Sequence, residues 1–265
     1  MREFTKKSIV LLFTAAMIFT LAACGNGETT NINATNASES ESDAHSESES
    51  DEEAEEEAPY SVGDSIYFGN YEQDGNEANG AESIEWLVLD QVDNRILVTS
   101  KYVLDCQAYH TESTAVTWED CTLRAWLNGD FFNHAFSEEE QAQIITATVV
   151  NEDNAEYGIS GGNNTEDKVF LPSVSEAEIY FTEQESTSFE SGVLRKCKPT
   201  AYAAEKGAIT VGGTDYCIWR LRTPGSDSDQ AALVDYNSNI DVSGLDVTRS
   251  EARGGIRPIM WINLE

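Results

Sequence analysis

Tyr216-Cys217-Ile218-Trp219-Arg220-Leu221-Arg222 opens, and Gly254-Gly255-Ile256-Arg257-Pro258-Ile259-Met260-Trp261-Ile262-Asn263-Leu264 closes, the stretch on which the fold turns. Both runs are apolar and aromatic, with arginines set among them. Between them stand a turn signal, Pro224-Gly225, and two short apolar runs, Ala231-Ala232-Leu233-Val234 and Ile240 with Val242. Asp, Asn and Ser fill the gaps, and these are residues that turns favour. The ends read as a rigid hydrophobic frame and the middle as a polar surface held on it.

Upstream, Ser65 to Tyr71 reads as a strand. Ile84 to Leu89 and Arg95 to Thr99 are rich in Val, Ile and Leu and separated by Asp93-Asn94, which marks a hairpin. Successive apolar residues predict that both of its faces are covered. Leu123, Trp126 and Leu127 predict one buried face of a helix capped by Thr117 and running through Trp118 to Asn128. Ser137 with Glu140 and Ser173 with Glu176 are capping boxes, each ahead of apolar residues. Gly158 to Asn164 is glycine-rich, but phosphate binding needs such a loop to lead into a helix. Lys168 to Leu171 reads as a strand instead, so the loop is taken as structural. Pro199 to Lys206 is a short helix stopped by Gly207. Strands cluster at both ends of this region and helices lie between, which argues for α+β rather than alternating βαβ.

The N-terminus is of another kind. Arg2, Lys6 and Lys7 precede an apolar run from Ile9 to Ala23 that is too short to span a membrane comfortably and reads as a signal peptide. Residues 24–58 repeat Ser-Glu-Ser-Glu-Ser-Asp and hold no Lys or Arg. With few apolar residues to offset ordering entropy, they are expected to be a disordered tether. The expected organisation is therefore a signal peptide at 1–23, a linker at 24–58 and one domain at 59–265. The first segment carries +2 and the second −12, which leaves −22 of the total −32 for the domain. Phosphate binding needs a surplus of Lys and Arg, so nucleic acid is excluded as a partner.

Two resemblances sharpen this. Leu21-Ala22-Ala23-Cys24 resembles a bacterial lipobox, which implies cleavage after Ala23 and lipid, including palmitate-type chains, on Cys24. Acyl chains contribute about 0.8 kcal/mol per buried methylene, so two or three anchor a protein stably. The expected location is the outer face of the bacterial cell membrane. The pattern Trp-x-Leu-Arg-x-Pro-Gly from Trp219, Ala-Ala-x-Val from Ala231 and Gly-x-Arg-Pro-x-x-Trp-Ile from Gly255 resembles an uncharacterised domain-of-unknown-function family. Its members are exported proteins of Gram-positive bacteria. Tyr67-Phe68-Gly69 with Tyr71, Glu85-Trp86, Thr117-Trp118-Glu119 and Ser160-Gly161-Gly162 add to the match. That family is in turn similar to the C-type-lectin-like fold, in the branch of the formylglycine-generating enzymes. The likeness implies that the chain ends pair as strands, Ser65–Tyr71 with Gly255–Leu264, and that loops near the C-terminus present ligand contacts. Pro258, lacking an N–H, belongs at an edge or outside the ladder.

No catalytic constellation emerges. The cysteine motif of the formylglycine-generating enzymes is absent, and His110 and His134 are too few for an iron site. His134, between Phe132 and Phe136, reads as a packing residue. For Cys106, Cys121, Cys197 and Cys217, two disulfides and buried free thiols both remain open. Asp227, Asp229, Asp235, Asn237, Asn239, Asp241 and Asp246 crowd the C-terminal loops. Calcium takes about six to eight oxygen ligands, but no metal-binding spacing is present, and these are read as turn residues. Trp219 and Trp261 read as core. The candidate ligand contacts are Asp227, Asp229, Tyr236, Asn237, Asn239, Asp241 and Arg249. No catalytic residue, metal or cofactor is assigned. The expected function is that of a surface lipoprotein whose non-catalytic, lectin-like domain binds an extracellular protein or glycan. An enzyme of the sulfatase-modifying type and a structural envelope protein are the alternatives.

Overall fold

The structure, a computed structural model, describes residues 59–181, 194–208, 210, 213–249 and 254–264. Cys24, the leader and the linker at 24–58 lie outside these residues. Chain order gives β1 (Ser65–Tyr71), β2 (Glu82–Val92), β3 (Arg95–Ser100), β4 (Asp105–Cys106), α1 (Thr122–Trp126), α2 (Phe132–Ala135), α3 (Glu138–Gln143), β5 (Ile144–Ile145), β6 (Ala147–Val149) and β7 (Thr165–Asp167). Then follow α4 (Val174–Tyr180), α5 (Ala201–Glu205), β8 (Trp219–Pro224), β9 (Gln230–Val234), β10 (Ile240–Asp246), β11 (Gly255–Ile256) and β12 (Ile259–Asn263). Helices and mainly antiparallel strands make this an α+β fold.

One five-stranded sheet runs β1-β2-β3-β12-β5 and a second runs β10-β9-β8-β11-β4, with β6 and β7 as a separate pair. The closing stretch therefore serves both sheets, β11 in one and β12 in the other. Pro258 is the joint. It sits outside both ladders, and its carbonyl accepts from Ser100 N at 3.1 Å and Thr99 Oγ1 at 3.2 Å. Gly255 is needed because the chains approach closely there: a Cβ would lie 2.3 Å from the Ile218 carbonyl oxygen.

The chain ends do not pair with each other. β12 lies against β3, from Ile259 opposite Thr99 to Asn263 opposite Arg95, while β1 pairs with β2 at the sheet edge. The β2–β3 hairpin separates them. β3 is buried except at Arg95, so its free edge is the one that gains from apolar β12. β1 alternates with solvent and leaves Tyr67 69% exposed. Gly69 in β1 has φ +70°, and a Cβ there would strike the Phe136 ring at 2.6 Å.

The first helix also departs from the expected one. Its N-cap is Cys121, whose Sγ accepts from Arg124 N at 3.3 Å, and not Thr117. A π-helical turn, Leu127–Phe131, carries it on into α2. Leu123 and Leu127 are buried, while Trp126 is half-buried against Phe131. His134 is exposed, its Nδ1 2.6 Å from the Asp130 carbonyl, so packing falls to Phe132 and Phe136 instead. Lys168 to Leu171 forms no regular strand. Asn128 takes the N–H groups of Lys168 and Val169, and Phe170 makes an isolated bridge to Ile259. Both capping boxes form, at the starts of α3 and α4.

The core carries three fully buried tryptophans, and each indole N–H finds an acceptor, as burial requires. Trp86 donates to the Phe68 carbonyl at 2.7 Å, Trp118 to Asp167 at 2.8 Å and Trp219 to the Arg195 carbonyl at 2.8 Å. Trp261 is only half-buried, with the Arg95 guanidinium 5.2 Å from its ring centre. No helix among the described residues is long and apolar enough to cross a membrane.

Candidate functional site

The β9–β10 register decides where the candidate contacts go. Ile240 lies opposite Val234 and Asp246 opposite Gln230. Tyr236, Asn237 and Asn239 therefore occupy the hairpin turn at one end, with Asp241 just inside it. Asp227, Asp229 and Arg249 lie at the other end, about 15 Å away by the length of the strand. The structure does not bring the seven together into one site.

The turn end bonds largely to itself, with Arg195 Nη1 reaching the Ser238 carbonyl from outside at 3.4 Å. The Asp235 carboxylate accepts from Asn237 N and Asn239 N, both at 2.8 Å, and from Asn239 Nδ2 at 3.0 Å. Asp241 Oδ1 accepts from Ser243 N at 3.0 Å and Ser243 Oγ at 2.5 Å. Tyr236 is half-buried beside an exposed Asn237. These are the turn roles expected of Asp and Asn.

The other end gathers three segments. Val247 N donates to the Asp229 carbonyl at 2.9 Å, Val116 N to Ser228 at 3.0 Å and His110 N to Val247 at 3.0 Å. This draws residues 107–117 up beside 226–229 and 247–249. Asp227 is exposed and accepts from Ser228 N at 2.7 Å. Arg249 is exposed. The Thr248 hydroxyl and N–H hold the Asp246 carboxyl below its usual range. His110 Nδ1 accepts from Thr122 N at 3.2 Å, which in the neutral ring leaves the proton on Nε2. The exposed run Thr111 to Ala115 lies next to it. That loop is not among the candidate contacts read from the sequence. Its polar composition marks a loop, but nothing local shows which other loops it meets.

The arginines of the terminal motifs are buried, and of the three Arg220 is the one that bonds these loops. Arg220 is fully buried and donates to the carbonyls of Leu245 at 3.2 Å, Asp246 at 2.9 Å and Arg249 at 2.7 Å. Arg222 grips Glu176 with both terminal nitrogens and reaches Leu171 at 2.7 Å and Val150 at 2.9 Å. Arg257 donates to the Ser100 and Leu194 carbonyls and lies over the rings of Phe181 and Trp219 at 4.9 and 5.3 Å. Burial lowers its affinity for its proton. Asn154 adds a further pin, its Nδ2 within 3.1 Å of the carbonyls of Pro224, Gly225 and Val242. Fixed guanidinium forks suit this task because several donors act from one rigid plane.

The four domain cysteines are buried and carry thiols, not disulfides. Burial pushes the Cys106 thiol up to about 11 and the Cys121 thiol to about 12, and raises Cys197 and Cys217 as well. One group of carboxylates with metal-like spacing occurs among the described residues, Glu72, Asp74 and Glu82, within 4.8 Å of one another. It lies away from the C-terminal loops in sequence. Its oxygens accept from the N–H groups of Gln73, Gly75 and Asn76, so it builds its own loop.

A family model described as a domain of unknown function (DUF6273) matches residues 93–264. No curated protein and no solved structure matches the chain.

Proposed function

The chain belongs to the DUF6273 family, and we propose that it is a lipid-anchored surface protein whose C-terminal loops bind an extracellular protein or glycan. The observation that carries this reading is the clamping of those loops by a buried arginine. Arg220 alone fixes three backbone carbonyls between Leu245 and Arg249, so the backbone that carries Arg249 is set before any ligand arrives. Such preorganisation lowers the cost of binding. Of the two ends, the three-segment end around Asp227, Asp229, Arg249 and the 107–117 loop is the favoured contact surface. It offers the exposed Arg249 together with Asp227 and Asp229, charges of both signs. The lectin-like reading rests on these loops and on the sequence likeness, not on paired chain ends.

The thiols favour a binding role over catalysis. A nucleophilic cysteine needs a lowered pKa and access, and all four here are buried with raised pKa values. The anchor rests on the lipobox at Leu21–Cys24, with residues 25–58 as the tether.

Glycan and protein arrays probed with the purified chain test the binding reading. Combined Asp227→Ala, Asp229→Ala and Arg249→Ala should abolish the array signal and leave melting within a few degrees. Tyr236→Ala with Asn239→Ala should preserve binding. The reverse pattern would move the site to the hairpin turn, and flat arrays would favour an envelope role. Replacing Cys24 with Ser should shift the protein from membrane to medium.

A further inference from the structure

Cys197 and Cys217 stand 20 residues apart in sequence and meet in the core. Cys217 N donates to the Cys197 carbonyl at 3.0 Å, and the Cys217 thiol lies 3.6 Å from the same oxygen. A single backbone bond of 3.0 Å keeps the two Cα atoms within about 7 Å, close to the range of roughly 4.4–6.8 Å that a disulfide spans. Neither of the other cysteines fits as well. Cys106 lies in β4, opposite Gly255, and Gly255 in turn pairs with Trp219 at the start of β8. Two strand spacings put Cys106 about 10 Å from the line of β8, which a bridge does not reach without backbone movement. Cys121 Sγ accepts the N-cap bond of α1 from Arg124 N, whereas Cys197 Sγ only donates to the carbonyls of Lys101 at 3.4 Å and Lys198 at 3.7 Å, contacts that closure of a bridge would give up.

From this geometry we propose that Cys197 and Cys217 are a disulfide pair that closes when the chain folds in the presence of a small-molecule disulfide. One thiolate attacks the external disulfide, breaks its S–S bond and releases one thiol. The second then attacks the mixed disulfide, forms the Cys197–Cys217 bond and releases the other thiol. Two protons and two electrons pass from the pair to the oxidant, which leaves as two thiols. Closure belongs to folding because each cysteine is only 1% exposed in the finished fold. The bridge would fasten the segment carrying Leu194 and Arg195 to the start of β8. Those two residues supply the carbonyls that Arg257 and Trp219 use.

The test refolds the full chain from reductant in mixed oxidised and reduced glutathione. Remaining thiols are then alkylated, and the chain is digested without reduction for peptide mapping by mass spectrometry. A linked peptide joining Cys197 to Cys217 should predominate, with melting raised on the order of 5–10 °C above the reduced protein. Cys106→Ser should leave the linked peptide in place, and Cys217→Ser should remove it. Alkylation of both Cys197 and Cys217, or a link joining any other pair, would overturn the proposal. The map of the unsubstituted chain decides the matter even where a variant fails to fold.

Discussion

Strand β8 and the loops it supports use charge in opposite ways. β8 buries every residue from Trp219 to Pro224, two arginines included. Its arginines reach far along the chain: Arg222 to Glu176 across 46 residues and to Val150 across 72. The loop aspartates bond close to home. Asp227, Asp235, Asp241 and Asp246 accept side-chain and backbone bonds from partners no more than 4 residues on. The fold should therefore depend on the arginines and be nearly indifferent to the exposed acids. Conserving a fold and varying a surface are compatible in one segment when the charges are divided this way.

The largest effect should come from the frame itself. Trp219→Ala removes a fully buried indole that stacks on Phe181 at 5.3 Å and donates to Arg195. Such truncations cost about 3–5 kcal/mol, a large share of the roughly 5–15 kcal/mol that holds a domain folded. Trp261→Ala, though it sits in an equally apolar stretch, should cost less than half as much, because Trp261 is half-buried. Urea unfolding of both variants checks this. Equal losses would mean that the Arg95 contact with Trp261 matters as much as core packing.

Those two tryptophans also show how much the sequence reveals. Both stand among apolar neighbours, and local context predicts core for each. Only the pairing of β12 between β3 and β5 decides that Trp261 faces a partly open side. Elements with local causes were legible: the β2–β3 hairpin from Asp93-Asn94, and both capping boxes from their spacing. Long-range pairings were not, and the supposed union of the chain ends failed there. The hydrophobic pattern says that β12 needs a neighbour but does not say which strand edge is free. In the site, the turn roles of the aspartates were readable. The arginines were not, because a buried guanidinium satisfied by backbone carbonyls leaves no pattern in its neighbours.

Next in size is Arg220→Met, which keeps the bulk and removes the fork. The carbonyls of Leu245, Asp246 and Arg249 lose that donor. An unsatisfied buried polar group costs about 1–3 kcal/mol, so a loss on the order of 3 kcal/mol is expected. Hydrogen exchange should also quicken in 245–249 while the β2–β3 hairpin stays protected. Uniform exchange across both sheets would show that Arg220 holds the whole domain and not the loops.

The smallest effect separates a far-reaching acid from a local one. Glu140 differs from the loop aspartates, since its carboxylate accepts from Gly69 N, 71 residues away, at 2.7 Å as well as from Ser137 N at 2.8 Å. Burial works to raise its pKa, yet the N–H bonds win and hold it below the ordinary 4.5. Asp246 is likewise held below 3.8 by Thr248. A depressed folded pKa gives stability that is fully present above the unfolded value and lost as pH falls through the folded one. For Glu140 that window opens below pH 4.5 and for Asp246 below pH 3.8. Both groups are largely solvent-screened, so Glu140→Gln should cost no more than about 1 kcal/mol at neutral pH. Asp246→Asn should cost less still, because its partner Thr248 is only two residues away and ties down little of the chain. The gap between Glu140→Gln and the unsubstituted protein should be flat above pH 5.5 or so and narrow as the Glu140 carboxylate protonates. If the Asp246→Asn gap is the larger of the two and closes first on acidification, reach along the chain is not what makes an acid matter to this fold.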